Sequence, residues 1–171
     1  METLLEEAFS PESLAAVFAA CNKLVEEGII RDYALGGGLG ALYYTEPFLT
    51  YDADIFYEPT GQSLDAGIPA IFERLQLMGH AMVKDRIAIK GLPTQFLPAH
   101  ALTQEALKEA APVNLDGVPG KIFKPEYLAA IAMQVNRTKD KLKAELLVDQ
   151  SGLDATKLDI ILRKHGIERT I

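Results

Sequence analysis

Three consecutive glycines, Gly36-Gly37-Gly38, followed fourteen residues after Gly38 by Asp52-Ala53-Asp54, constrain this chain more than any other feature. The glycines end a segment, Ile29 to Leu35, that reads as a short strand, and precede a stretch from Leu39 to Tyr44 that suits a helix. A strand, a glycine turn and a short helix are predicted. The segment Thr50 to Tyr57 then follows a period of two, with Tyr51, Ala53, Ile55 and Tyr57 on one face and Asp52, Asp54 and Phe56 on the other. Aspartates at i and i+2 of a strand share a face, with backbones ~6–7 Å apart.

That pairing points to a chemistry. Glycines at a strand–helix turn let a phosphate approach backbone N–H groups, because no Cβ stands in the way. Two convergent carboxylates suit Mg²⁺, or Mn²⁺, which prefer oxygen ligands. Glycines and aspartates together suggest a metal–triphosphate site in which an attack on the α-phosphorus is feasible, with nucleotidyl transfer as the reaction. A competing reading is a dinucleotide fold. Gly36-x-Gly38-x-x-Ala41 fits the Gly-x-Gly-x-x-Gly/Ala pattern, with Glu58 about twenty residues on. Against it, the second strand of such a fold is nearly all apolar, and here it carries two aspartates.

The rest of the chain supplies a frame. Ser10-Pro11 opens a helix as N-cap and first helical residue, Leu14, Val17, Phe18, Cys21, Leu24 and Val25 form its apolar stripe, and Gly28 closes it. A helix is predicted over Ser63 to Met78, with short strands near Ala81–Val83, Ile87–Lys90 and Thr94–Leu97 and a turn at Gly91-Leu92-Pro93. After Pro98 come a helix near Thr103–Ala110, a hairpin turning at Asp116-Gly117, and helices from Pro125 to His165 with breaks near Thr138 and Ser151-Gly152. This places a mixed α/β core over residues 1–100 and a mainly helical portion over 101–171, packed as one unit.

Composition excludes several classes. A single cysteine, Cys21, allows no internal disulfide, and His80, His100 and His165 are too scattered for a zinc module. No apolar run approaches the ~18 residues of a membrane span, and the acidic start, Glu2 to Glu7, lacks the basic region of a signal peptide. A cytoplasmic protein without membrane association is expected. The balance of 17 Lys+Arg against 24 Asp+Glu, net −7, argues against DNA as a partner. One basic cluster stands out, Arg137, Lys139, Lys141 and Lys143, readable as a phosphate or RNA contact or as a solvated helix face pairing with Asp140 and Glu145.

The run Tyr33-Ala34-Leu35-Gly36-Gly37-Gly38 through Thr50-Tyr51-Asp52-Ala53-Asp54-Ile55-Phe56 resembles the Gly-Gly/Ser…Asp-x-Asp signature of the DNA polymerase β-like nucleotidyltransferase superfamily. Pro125-Glu126-Tyr127-Leu128 through Asn136-Arg137-Thr138-Lys139-Asp140 is similar to a C-terminal segment of its small prokaryotic branch, near the abortive-infection type IV toxins. The resemblance implies an α+β fold, a nucleotidyltransferase-like mixed sheet flanked by helices with a helical C-terminal portion. It also implies Asp52 and Asp54 as catalytic Mg²⁺ ligands, Gly36 and Gly37 as the phosphate cradle, Thr50 at the site's edge, and Arg137 and Lys139 as triphosphate contacts. An NTP would be the substrate and NMP would pass to a hydroxyl acceptor, with RNA or protein among the candidates.

The third acidic residue of active members falls here on Gln95, in Pro93-Thr94-Gln95-Phe96-Leu97-Pro98. A carboxamide cannot take the proton of an attacking hydroxyl. The alternative function is therefore a catalytically inactive, toxin/antitoxin-like regulatory or partner-binding module.

Overall fold

The most thoroughly enclosed strand is β1 (Ile30–Gly36), whose residues are buried without a break from Tyr33 to Gly36. Only a strand with neighbours on both edges and helices on both faces is enclosed in that way. A computed structural model, which describes residues 10–171, shows why. On one side β1 pairs antiparallel with β2 (Ala53–Pro59), in a register that sets Gly36 opposite Asp54 and Leu35 opposite Ile55. On the other, Leu35 pairs in parallel with Ile122 of β7 (Val118–Ile122). The acidic start of the chain, and the localisation reading drawn from it, lie outside the described residues.

The sheet has seven strands in the order β3 (Ala81–Val83), β4 (Arg86–Ile89), β5 (Leu92–Pro98), β2, β1, β7, β6 (Ala111–Leu115). β2 and β5 run parallel, while β3–β4, β4–β5 and β6–β7 are antiparallel hairpins. This mixed sheet confirms the α+β expectation. It excludes the dinucleotide alternative, in which β1 and β2 would run parallel as the first turn of a repeated βαβ unit.

Two cores form, one on each face. The first joins Phe18, Cys21 and Leu24 of α1 (Pro11–Glu26) and Ile71 and Leu75 of α3 (Ile68–Leu77) to Ile55 and Tyr57 of β2. The second joins α4 (Leu102–Lys108), α5 (Pro125–Val135), α6 (Thr138–Gln150) and α7 (Ala155–Lys164) around Tyr127, Leu128 and Leu147. The short α2 (Gly37–Leu42) lies between them, with Leu39 in the first and Ala41 in the second. Among the described residues no helix is long and apolar enough to cross a membrane.

Local sequence explains most boundaries. Ser10 caps α1 by accepting from the Ser13 N–H, with Pro11 in the first turn. Asp116 and Gly117 both adopt the left-handed conformation that a two-residue hairpin turn requires. Cys21 is fully buried, and burial pushes its thiol up, as the core reading expected. Several boundaries moved. β2 begins at Ala53 rather than Thr50, so Asp52 precedes the strand. α3 begins at Ile68 rather than Ser63, because Pro69 is tolerated only in a helix's first turn; Ser63 and Asp65 instead shape the turn, Asp65 Oδ1 accepting from the Gly67 N–H. The turn expected at Gly91-Leu92-Pro93 falls at Lys90-Gly91, both left-handed, leaving Leu92 and Pro93 in β5.

Candidate functional site

Strand alternation sorts β2 into a core side and a site side. Ala53, Ile55 and Tyr57 have no solvent exposure, while Asp54 and Phe56 are half-buried on the opposite face, under the C-terminal helices, and Asp52, one residue before the strand, is half-buried as well. β5 repeats the pattern beside it, and its parallel register sets Gln95 directly opposite Asp54 and Leu97 opposite Phe56. The position of the missing third acid is thus the cross-strand neighbour of Asp54. Among the described residues no third His, Cys, Asp or Glu joins Asp52 and Asp54 in a ligand set.

The glycines meet these groups closely. Gly37 is left-handed, and a Cβ there would overlap the Asp54 carboxylate. A Cβ on Gly38 would come 2.5 Å from Thr50 Oγ1, so the turn and Thr50 pack closely. Gly36 answers a different demand. Its missing side chain makes room for the Phe56 and Phe123 rings, which pack 5.1 Å apart between centroids.

Asp54 is electrostatically unusual. Burial, then the neighbouring Asp52 carboxylate, push its pKa up from 3.8 to about 6, against the pull of Lys143, Arg86 and Lys139. Asp52 is instead ion-paired, accepting from Arg86 Nε at 3.3 Å, and Arg86 Nη1 donates to Asp85 at 2.7 Å. Asp85 is 80% exposed and reaches the site only through Arg86.

A cavity of about 500 Å³ opens over this face. Gly37, Asp54 and Gln95 line its sheet side; Arg137, Asp140 and Lys143 line the helical side. Asp140 organises that wall. It accepts from the Arg137 backbone N–H and from Arg137 Nε at 2.7 Å, and Lys143 Nζ lies at 3.3 Å. Burial raises its carboxyl, but the Arg137 hydrogen bond and the Lys143 charge outweigh burial and hold it below the usual carboxylate range. Apolar residues, including Leu97, Leu102, Ile131 and Val135, complete the walls.

The structure therefore brings Gly37, Asp54 and Arg137 to one cavity with Asp52 close to Asp54, while Gly36 is closed off by Phe56 and Phe123 and Thr50, against Gly38, lines a separate cleft. Lys139 is exposed and does not line the cavity, although its charge is felt at Asp54. Sequence reasoning missed Arg86, and it placed Lys143 only within the basic cluster of Arg137, Lys139, Lys141 and Lys143. The spacing Arg137, Asp140, Lys143, successive steps of three on one helix, was the available signal for the second.

Asp140 gives a direct test. In Asp140→Ala the half-buried Lys143 ammonium loses its partner and Arg137 its tether, so stability should fall by about 1–3 kcal/mol in denaturant unfolding. Unchanged stability would show that the cluster does not organise this wall.

No family model and no curated protein matches the sequence. Solved structures do match the fold. An antigenic nucleotidyltransferase-like protein from Paracoccidioides brasiliensis aligns over 90% of this chain and 87% of its own, at 12% identity and a TM-score of 0.52. The fold is nucleotidyltransferase-like. The antibiotic-resistance factor ANT(2'')-Ia, solved in solution, aligns over 92% of this chain and 93% of its own at 15% identity and a TM-score of 0.54. The same factor in its crystal complex with adenylyl-2''-tobramycin aligns over 88% and 95%, at 16% identity and a TM-score of 0.52. In this nucleotidyltransferase-like fold, the sheet face carrying Asp54 is the one roofed by the C-terminal helices.

Proposed function

We propose that the chain is a Mg²⁺- or Mn²⁺-dependent nucleotidyltransferase that binds an NTP and transfers NMP to a hydroxyl on RNA, protein or a small molecule. The observation that carries this reading is the contact of the Gly37 backbone with the Asp54 carboxylate, directly across a cavity from Arg137 and Lys143. The Asp54 carboxylate on the sheet wall, with Asp52 close by, and the Arg137 and Lys143 cations on the helical wall match the two needs of a metal–triphosphate, ligands for a cation and partners for phosphate oxygens.

The residues fit a divalent ion. Asp54 is a half-buried carboxylate raised by burial and a like charge, so a bound cation would relieve both costs. Asp52 and Asp54 would hold it. A bound divalent ion neutralises the triphosphate and steadies the pyrophosphate leaving group. Gly37 is the glycine of the turn that faces the phosphates, since Phe56 and Phe123 close over Gly36, and Arg137 and Lys143 pair with the phosphate oxygens. Lys139 adds long-range positive charge from the rim. In this arrangement residues 1–100 supply the metal side and residues 101–171 the opposing wall of one unit. The match of Arg137-Thr138-Lys139-Asp140 to the toxin-type segment supports a place near that branch, acting in the cytoplasm with no membrane or DNA partner. That ANT(2'')-Ia was solved with adenylyl-2''-tobramycin makes a small hydroxyl-bearing acceptor worth testing beside RNA and protein.

Gln95 favours a second reading, a non-catalytic module that binds nucleotide or a partner protein, because no proton can pass to a carboxamide. One experiment separates the two. Titrating all four NTPs in Mg²⁺ and in EDTA should show metal-dependent micromolar binding to the wild-type chain, and Asp52→Asn should weaken it at least ~10-fold. Pyrophosphate release over a panel of RNA, protein and small-molecule acceptors supports the transferase; binding without release supports the module. Binding of no NTP removes the nucleotidyltransferase reading.

A further inference from the structure

Arg86 opens β4, one step beyond the pairing of Ile87 with Thr94 that joins β4 to β5. Continued by that step, the register sets Arg86 beside Gln95, which itself lies opposite Asp54 on β2. Three strands thus present a guanidinium, a carboxamide and a carboxylate in one row, with Asp52 adjoining. Arg86 is held at both ends. Its Nε donates to Asp52, and its Nη1 to the exposed Asp85, which anchors the guanidinium from the solvent side.

Charge balance gives this row its meaning. Two divalent ions acting as a clamp sit ~3.5–4 Å apart, so their repulsion must be offset by anionic ligands placed between and around them. Here the position beside Asp54 holds a neutral carboxamide, which is a weak ligand. One oxygen of Asp52 is already engaged by a cation that stays charged at every physiological pH. The set has one carboxylate too few and one fixed positive charge too many for two ions.

Building on the nucleotidyltransferase reading above, we propose that this site takes a single divalent cation, held by Asp52 and Asp54, and that Arg86 supplies in fixed form the positive charge a second ion would otherwise bring. Arg86 acts from beside the cavity, through its hold on Asp52. Its loss exposes Asp52 to metal without replacing the charge, whereas pairing its loss with an acid at Gln95 rebuilds a two-ion ligand set.

The test counts ions. The whole chain is equilibrated with Mn²⁺ and α,β-methylene-ATP, and bound manganese and bound nucleotide are measured by equilibrium dialysis against a nucleotide-only control. Wild type should hold one Mn²⁺ per bound nucleotide, and Arg86→Ala/Gln95→Asp should hold two. Without nucleotide, Arg86→Ala should bind its Mn²⁺ about fivefold more tightly, because Asp52 loses its competitor. Arg86→Gln, which keeps most of the side-chain volume, provides the same comparison should the alanine variants fail to fold. Two ions on the wild type, one on a folded double variant, or unchanged Mn²⁺ affinity on removing Arg86 would each overturn the single-ion site while leaving nucleotidyl transfer standing. Nucleotide that fails to bind with or without metal would instead remove the underlying reading, and this inference with it.

Discussion

Asp54→Asn should raise the melting temperature of the metal-free protein at pH 7.5 while abolishing metal-dependent nucleotide binding. The wild-type carboxyl has its pKa raised to about 6 from the usual 3.8, so the folded state holds its proton more tightly than the unfolded chain does. Below pH 3.8 both states are protonated and the site costs nothing. As pH rises through about 6 the folded protein must carry a charge beside Asp52 in a half-buried cleft, and stability is lost. Full linkage corresponds to ~3 kcal/mol, and solvent access reduces this to about 1–2 kcal/mol. Asn removes the charge, so the gain in a protein of this size is about 2–8 °C above pH 7 and vanishes near pH 4. Thermal melts at both pH values check the sign; equal melting temperatures at pH 7.5 would mean that Asp54 carries no such cost. Nucleotide affinity in Mg²⁺ should fall ~100-fold in the same variant, since one of two ligands is gone. A residue that costs stability and supplies binding is what a functional site is expected to contain.

Gly37→Ala should be nearly as damaging for binding, with the opposite effect on stability. Two costs add at this position. The left-handed backbone disfavours any side chain by ~1–2 kcal/mol, and the new methyl overlaps the Asp54 carboxylate. Gly28 offers the control, because it is also left-handed yet a Cβ there meets nothing within 4 Å. Gly28→Ala should lose ~1 kcal/mol and leave nucleotide affinity untouched. Gly37→Ala should lose ~2–3 kcal/mol and at least ~10-fold in affinity, because Asp54 must move. If the two variants lose equal stability and both bind nucleotide normally, the Gly37–Asp54 contact has no functional content.

Local rules carried far in this chain. Ser10-Pro11, Asp116-Gly117 and Pro125 each mark a boundary that the structure keeps, because caps, two-residue turns and first-turn prolines depend on a few neighbouring residues. The alternation that put Asp54 and Phe56 on the face opposite Ala53, Ile55 and Tyr57 of β2 is equally local, following from the pleat alone. The misplaced start of α3 shows how a local rule fails when one residue is overlooked: Pro69 forbids the preceding turn whatever the apolar periodicity says.

What the sequence by itself determined, then, was the strand–glycine turn–helix unit, the face of β2 that carries Asp54 and the α+β class. All of these rest on spacing within a few turns of chain. Tertiary structure decided which groups surround them. Arg86 reaches Asp52 from 34 positions away, and Gln95 becomes the neighbour of Asp54 only through the parallel β2–β5 pairing. Arg137, Asp140 and Lys143 become the far wall because α5 and α6 fold back over the sheet and bury Leu128 and Leu147 in a common core. Those contacts depend on register between distant strands and on the packing of whole helices, neither of which a short stretch of sequence encodes.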